Sequence, residues 1–135
     1  MQGWRYQLSV FSNVVANELH TGAAGAVDAW LGAWSITDEQ ERTKTLAAVA
    51  DGGVQFRDRF SVIDGLSELV PHIGAAQHHM GAMTLRRRGA VRQCQGVVLA
   101  DWAALGADGQ ERATGTNVFR FDPSGRIAEV TGFWN

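Results

Sequence analysis

The chain has 135 residues, 12 basic and 14 acidic side chains and a formal net charge of −2. That length suits one domain with a sizeable core, and a balance this close to neutral gives no electrostatic footing for nucleic acid or an anionic membrane surface. The single cysteine, Cys94, excludes an internal disulfide, and no CxxC or Cys/His metal spacing occurs. No apolar run approaches the ~20 residues of a membrane helix, and residues 1–20 lack the charged-then-apolar order of a signal peptide. The expectation is a cytoplasmic globular domain without metal or cofactor. Five tryptophans and six phenylalanines suit an aromatic pocket, an ordinary core or a dimer interface.

The first half of the chain reads helical and the second half reads as strands, which makes the class α+β. Residues 4–20 carry Trp4, Leu8, Phe11, Val15 and Leu19 at helical spacing, although Tyr6, Leu8 and Val10 also fit a short strand. Thr21 to Gly25 is a break. Val27, Trp30, Leu31 and Trp34 then form one helical stripe. Thr37-Asp-Glu-Gln40 resembles a capping box, and the helix after it runs to about Ala50, burying Leu46 and Val49. From Val54 to Phe60 the period is two. Val54, Phe56 and Phe60 share a side, and Asp58 falls on that apolar side with them. An ionised carboxylate there is costly unless it is paired, hydrogen-bonded or facing a cavity, so Asp58 is a candidate for proton chemistry. Asp64 is placed as the N-cap of a third helix whose apolar face is Leu66, Leu69, Val70, Ile73 and Met80.

After Gly81 the period of two returns. Met83 to Arg88 and Val91 to Leu105 read as strands joined at Arg88-Gly89. Asp108-Gly109 is a two-residue type I′ hairpin signal. Counting from it, Ala107 faces Gln110, Leu105 faces Arg112, Trp102 faces Gly115 and Ala100 faces Asn117. Trp102, Gly115, Asn117, Phe119 and Phe121 then look to one side, the side to which Asp58 points. Asp122-Pro-Ser-Gly125 is the last turn, and Val130, Gly132 and Trp134 alternate on the final strand.

These stretches resemble the nuclear transport factor 2-like (NTF2-like) superfamily, the SnoaL-like and ketosteroid-isomerase-like proteins. The matching residues are A-W-S-I-T-D at 33–38, F-R-D-R-F-S-V-I-D-G at 56–65, H-H-M-G at 78–81, and G-T-N-V-F-R-F-D-P-S-G-R-I with G-F-W from 115 onward. The resemblance covers roughly residues 24–135, a SnoaL-like domain, and leaves 1–23 as an N-terminal extension. It implies a cystatin-like cone: a curved, mostly antiparallel sheet wrapped round about three helices, with a pocket at the open end. It also implies a homodimer. In the isomerase branch Asp58 matches the proton-shuttling base. Asn117 stands where a second acid binds the oxyanion, and Trp30 stands where a helix tyrosine completes the oxyanion hole. In the dehydratase branch His79-Met80-Gly81 matches the catalytic histidine, while Trp34 occupies about the place of the first-helix acid.

Each candidate has a plainer alternative. Asp58 is a general base, or an acid tied to loop N–H groups near Ser61 or paired with an arginine. His79 is a proton shuttle, or a histidine stabilised at a helix C-terminus; His78 points to solvent or a dimer face, and His72 and His20 are surface residues. Asn117 is an oxyanion donor, or a satisfied amide. Trp30, Trp34, Phe56, Trp102, Phe119 and Trp134 are ligand-pocket walls, or ordinary core. Arg86, Arg87 and Arg88 form a solvated run, and Cys94 is an inert strand residue. The expected function is a small cofactor-independent enzyme. It acts by acid/base proton transfer on an apolar, carbonyl-bearing small molecule, as an isomerase, cyclase or dehydratase. The alternative is a non-catalytic binding or dimerisation module of the same fold.

Overall fold

The computed structural model describes residues 22–135, so the element read at 4–20 lies outside the described residues. Helix α1 (Ala23–Ala33) turns Val27, Trp30, Leu31 and Ala33 inward, as the 3.6-residue stripe requires. It unwinds through N–H bonds from Trp34, Ser35 and Ile36 to carbonyls three residues back. Helix α2 (Glu39–Val49) is capped by Asp38, whose carboxylate accepts the Glu41 N–H at 2.9 Å. The cap thus falls one residue later than Thr37, because the Asp38 carboxylate also gains from the positive helix end. Leu46 is fully buried and Val49 half-buried.

The buried group on α2 that periodicity did not reveal is Arg42, only 3% exposed. Among the described residues no carboxylate pairs with it. Its guanidinium donates instead to the carbonyls of Ile36 (3.0 Å), Thr37 (3.1 Å) and Val70 (2.8 Å), and to Oε1 of Gln77 (3.3 Å). Gln77 in turn donates its amide to the carbonyls of Trp34 and Ile36. One cation therefore clamps the α1–α2 loop to helix α3 (Leu66–Met80). A Cβ at Gly74 would stand 3.1 Å from Arg42 Nη1, so a bare backbone there makes room for the clamp.

The strands are β1 (Ala50–Arg57), β2 (Val62–Asp64), β3 (Thr84–Cys94), β4 (Val97–Leu105), β5 (Glu111–Phe121) and β6 (Ile127–Trp134). They form one sheet in the order β2-β1-β6-β5-β4-β3. Among the described residues only the β1–β6 pairing is parallel. The helices and the inward residues of the strands, among them Val54, Phe56, Val98, Ala100, Trp102, Phe119 and Val130, share one core. The α+β class, with three helices among the described residues and a mostly antiparallel sheet, is as the sequence suggested.

Several local expectations are corrected. β1 stops at Arg57, because Asp58 and Ser61 exchange backbone bonds in a tight turn; Phe60 is thereby thrown outward and is 69% exposed. Asp64 belongs to β2 and does not cap α3. Its N–H donates to Glu68 at 2.9 Å, and Gly65, at φ +84°, makes the helix entry. Met80 is half exposed. Arg88-Gly89 is no turn: β3 continues through it, with an irregular register between Arg88 and Arg92. The real β3–β4 turn is Gln95-Gly96, both at positive φ (51° and 83°), the two-residue type I′ geometry.

The Asp108-Gly109 turn is also of another type. Gly106 N–H bonds Gln110 O and Gly109 N–H bonds Gly106 O. Of the three loop residues Ala107, Asp108 and Gly109, only Gly109 has positive φ. This is the three-residue hairpin with an αL glycine. It pairs Leu105 with Glu111 rather than with Arg112, and places Gly106 rather than Ala107 against Gln110. The irregularity between Ala104 and Leu105 then returns the register, so that Trp102 pairs with Gly115 and Ala100 with Asn117 as expected.

Two outcomes test this architecture. Arg42→Ala takes the guanidinium from the carbonyls of Thr37 and Val70 and leaves the Ile36 carbonyl to Gln77 alone, and it lowers the unfolding free energy by about 3 kcal/mol, read from urea denaturation; a loss within the ~0.5 kcal/mol of an ordinary surface change contradicts the clamp. Gly115→Ala, whose Cβ would overlap the Trp102 ring and the Phe133 carbonyl oxygen, destabilises by about 2 kcal/mol or more. Relief of glycine's strand penalty alone would instead stabilise it slightly, so the sign of the change decides.

Candidate functional site

The inner face of the sheet, the end of α1 and the C-terminal half of α3 enclose a cavity of about 80 Å³. That is well under the ~300–1,000 Å³ of pockets for drug-sized ligands, and it suits a small molecule or the head of a longer one. The walls are apolar: Trp34 and Phe56 on one side, Met80 near the end of α3, Leu85 on β3, and Trp102 and Trp134 on the sheet. Three polar side chains interrupt them: Asp58, Gln77 and Asn117.

Asp58 comes from the turn that ends β1. Its Oδ1 accepts the Phe60 N–H at 2.9 Å, and its Oδ2 lies 3.5 Å from the Trp134 indole nitrogen. The second distance is at the limit of a hydrogen bond, so Oδ2 keeps lone pairs free to accept a hydrogen bond from a ligand. Phe60 stacks edge-on against Trp134 from outside (5.7 Å, 78°), which joins the turn to the cavity wall. Asn117 comes from β5 and is 6% exposed; its Oδ1 accepts the Trp102 indole N–H at 2.9 Å.

Register brings these two groups together. Asn117 pairs with Gly132 on β6, and Gly132 is followed within two residues by Trp134. A Cβ at Gly132 would stand 3.0 Å from Asn117 Oδ1 and 3.5 Å from the Asp58 Cβ. The carboxylate and the amide are therefore neighbours across a bare glycine, although far apart in sequence. Trp102 and Trp134, their hydrogen-bond partners, meet edge to face at 5.2 Å and 85°.

Of the residues singled out in the sequence, Asp58, Asn117, Trp34, Phe56, Trp102 and Trp134 line the cavity. Trp30 and Phe119 do not: both are fully buried beneath it, in edge contact at 6.1 Å. The Trp30 indole N–H, expected to stand in for the tyrosine donor, is buried without a partner and does not reach the cavity wall. His79 is exposed and outside the lining, 6.0 Å from the His78 ring. His72, read as a surface residue, is half-buried and packs against Trp34 and Phe56.

Sequence reasoning did not assign Gln77, Met83, Leu85 or Gly132 to the site. Gln77 sits four residues beyond Ile73 on the same helix face, and Gly132 lies opposite Asn117 in the register, so both carried a signal. Among the described residues no group of His, Cys, Asp or Glu is arranged to hold a metal ion, and no helix is long and apolar enough to cross a membrane.

No protein-family model and no curated protein matches the sequence. Solved structures do match. A putative isomerase of the SnoaL-like family from Agrobacterium tumefaciens superposes with a TM-score of 0.78 at 21% identity, over 83% of this chain and 96% of that one. A putative polyketide cyclase from Sinorhizobium meliloti gives 0.63 at 17% identity, over 80% and 93%. An LEH-like epoxide hydrolase from M. tuberculosis gives 0.61 at 21% identity, over 85% and 84%. At these identities the likeness is one of fold. The chain has the NTF2-like fold of the SnoaL-like proteins.

Proposed function

We propose that this chain is a small cofactor-independent enzyme that moves a proton on an apolar, carbonyl-bearing small molecule. The reading rests on one observation: a carboxylate and an amide, Asp58 and Asn117, border the same apolar cavity across Gly132. In the scheme, Asp58 Oδ2 removes a proton from the carbon next to the carbonyl. The electron pair of that C–H bond moves onto the carbonyl oxygen, and the resulting enolate oxygen is held by the Asn117 N–H. Asp58, now a carboxylic acid, returns the proton to another carbon of the enolate in an isomerisation, or to a departing hydroxyl in a dehydration. A ring-closing attack by the enolate carbon begins from the same intermediate.

His79 has no part in this scheme, because it lies outside the cavity lining. Neighbours in fold include an isomerase-like protein, a cyclase-like protein and an epoxide hydrolase, so the fold leaves the reaction open. The second reading, a binding module without catalysis, draws on two observations: His79 is exposed and the Trp30 N–H is sealed in the core.

Deuterium uptake at the α-carbons of cyclopentanone in D₂O, followed by NMR, separates the two. The enzyme reading expects exchange faster than buffer alone, reduced ~10²–10⁴-fold in Asp58→Asn and ~10²-fold or more in Asn117→Leu. Wild-type protein that binds small ketones without accelerating exchange supports the binding module. Exchange unchanged in Asp58→Asn removes Asp58 from the mechanism.

A further inference from the structure

The polar groups of the cavity differ in what they leave free for a ligand. Gln77 commits its amide nitrogen to the carbonyls of Trp34 and Ile36, and its Oε1 already accepts from Arg42. Asp58, as a carboxylate, only accepts. Apart from the indole N–H groups of the lining tryptophans Trp34 and Trp134, Asn117 is the remaining side-chain source of N–H groups, and which end of its amide faces the cavity decides what the wall beside it can bind.

That choice is made by Trp102. An indole N–H donates and never accepts, so the 2.9 Å bond from Trp102 Nε1 must end on the amide oxygen of Asn117. Turning the amide over would set its NH₂ against a buried N–H and leave both without an acceptor. Nδ2 therefore points away from Trp102. It has no hydrogen-bond partner among the described residues, yet it is not sealed in: Trp30 Nε1 is the buried side-chain nitrogen or oxygen that lacks a partner there. The open space beside Asn117 is the cavity it lines. Trp102 is itself immobilised, since its ring lies over Gly115 and edge-on to Trp134.

We infer that Trp102 is a positioning residue that sets the hydrogen-bond polarity of the site. By holding Asn117 Oδ1 it makes the inner wall present N–H donors, so the site selects ligands bearing an acceptor such as a carbonyl oxygen. This deepens the proton-transfer reading and rests on it only for the use made of the bound carbonyl. The cavity of about 80 Å³ suits a small ring or the head of a longer ligand.

The test uses two five-membered rings, cyclopentanone, which only accepts, and pyrrole, which only donates. Affinities are read by NMR titration of the full chain. In the wild type, cyclopentanone moves the Asn117 side-chain NH₂ signals. Pyrrole, left with only Asp58 and Gln77 Oε1 to donate to, does not move them. Trp102→Phe keeps a ring over Gly115 but has no N–H, which frees the amide to turn. The ratio of cyclopentanone to pyrrole affinity then falls about tenfold, the worth of one oriented hydrogen bond. A merely structural role would lower both affinities and keep the ratio, and that result overturns the proposal.

Trp102 is buried, so the wild-type signals provide a test that needs no variant: Asn117 NH₂ resonances that stay put at saturating cyclopentanone also overturn it. Failure of the two readings is distinguishable. Unchanged exchange in Asp58→Asn sinks the proton transfer and leaves the acceptor preference standing, whereas an unchanged affinity ratio in Trp102→Phe sinks the preference and leaves the exchange.

Discussion

The indole of Trp102 lies across Gly115 on the neighbouring strand, where any side chain would collide with it, and the geometry of the site follows from that contact. A flat ring in that place reaches Asn117 on the same strand as the glycine. It also packs edge-on against Trp134 on the next strand, whose own N–H approaches Asp58. Two indoles thus connect the carboxylate to the amide through the wall of the cavity. The bare backbone of Gly132 completes the arrangement, because a side chain there would fill the space that Asp58 and Asn117 share.

The sheet supplies one wall and the helices the other, and the helical wall depends on a different interaction. Arg42 is a buried cation answered by carbonyl dipoles and one amide oxygen rather than by an acid. Burial of a charge is tolerable when hydrogen bonds answer it, and four do so for Arg42. Here they tie the end of α1 to α3 through Gln77, which is a cavity residue. The clamp therefore fixes Trp34 and Gln77 relative to each other before any ligand arrives, and preorganisation of this kind reduces the ordering cost of binding.

What the sequence made legible follows from periodicity and counting. The stripes of Val27, Trp30 and Leu31 and of Leu69, Val70 and Ile73 are buried as helical spacing requires, and Asp58 was visible as an acid out of phase with its strand. The pairing of Trp102 with Gly115 and of Ala100 with Asn117 was legible too, although the turn that generates it is of another type. A three-residue loop adds one residue, and the irregularity next to Leu105 removes the slip before Trp102 is reached. The Gln95-Gly96 turn was not legible, because glutamine rarely takes the left-handed conformation that asparagine and aspartate tolerate. Gly89 misled for the converse reason: its positive φ serves an irregularity within a strand rather than a turn. Arg42 left no trace at all, since a polar residue bonded to carbonyls breaks no pattern that a mostly polar helix displays. The expectation for His79 came from resemblance alone, and its exposure shows how little a shared motif says about where a side chain points.

The central claim is that Asp58 and Asn117 address one ligand in one hollow. A crystal structure of the protein with cyclopentanone bound tests it most directly. The account predicts the carbonyl oxygen about 2.7–3.2 Å from Asn117 Nδ2 and an α-carbon about 3–3.5 Å from a carboxylate oxygen of Asp58. Ketone seated elsewhere, or with its oxygen turned from the amide toward the carboxylate, would contradict it.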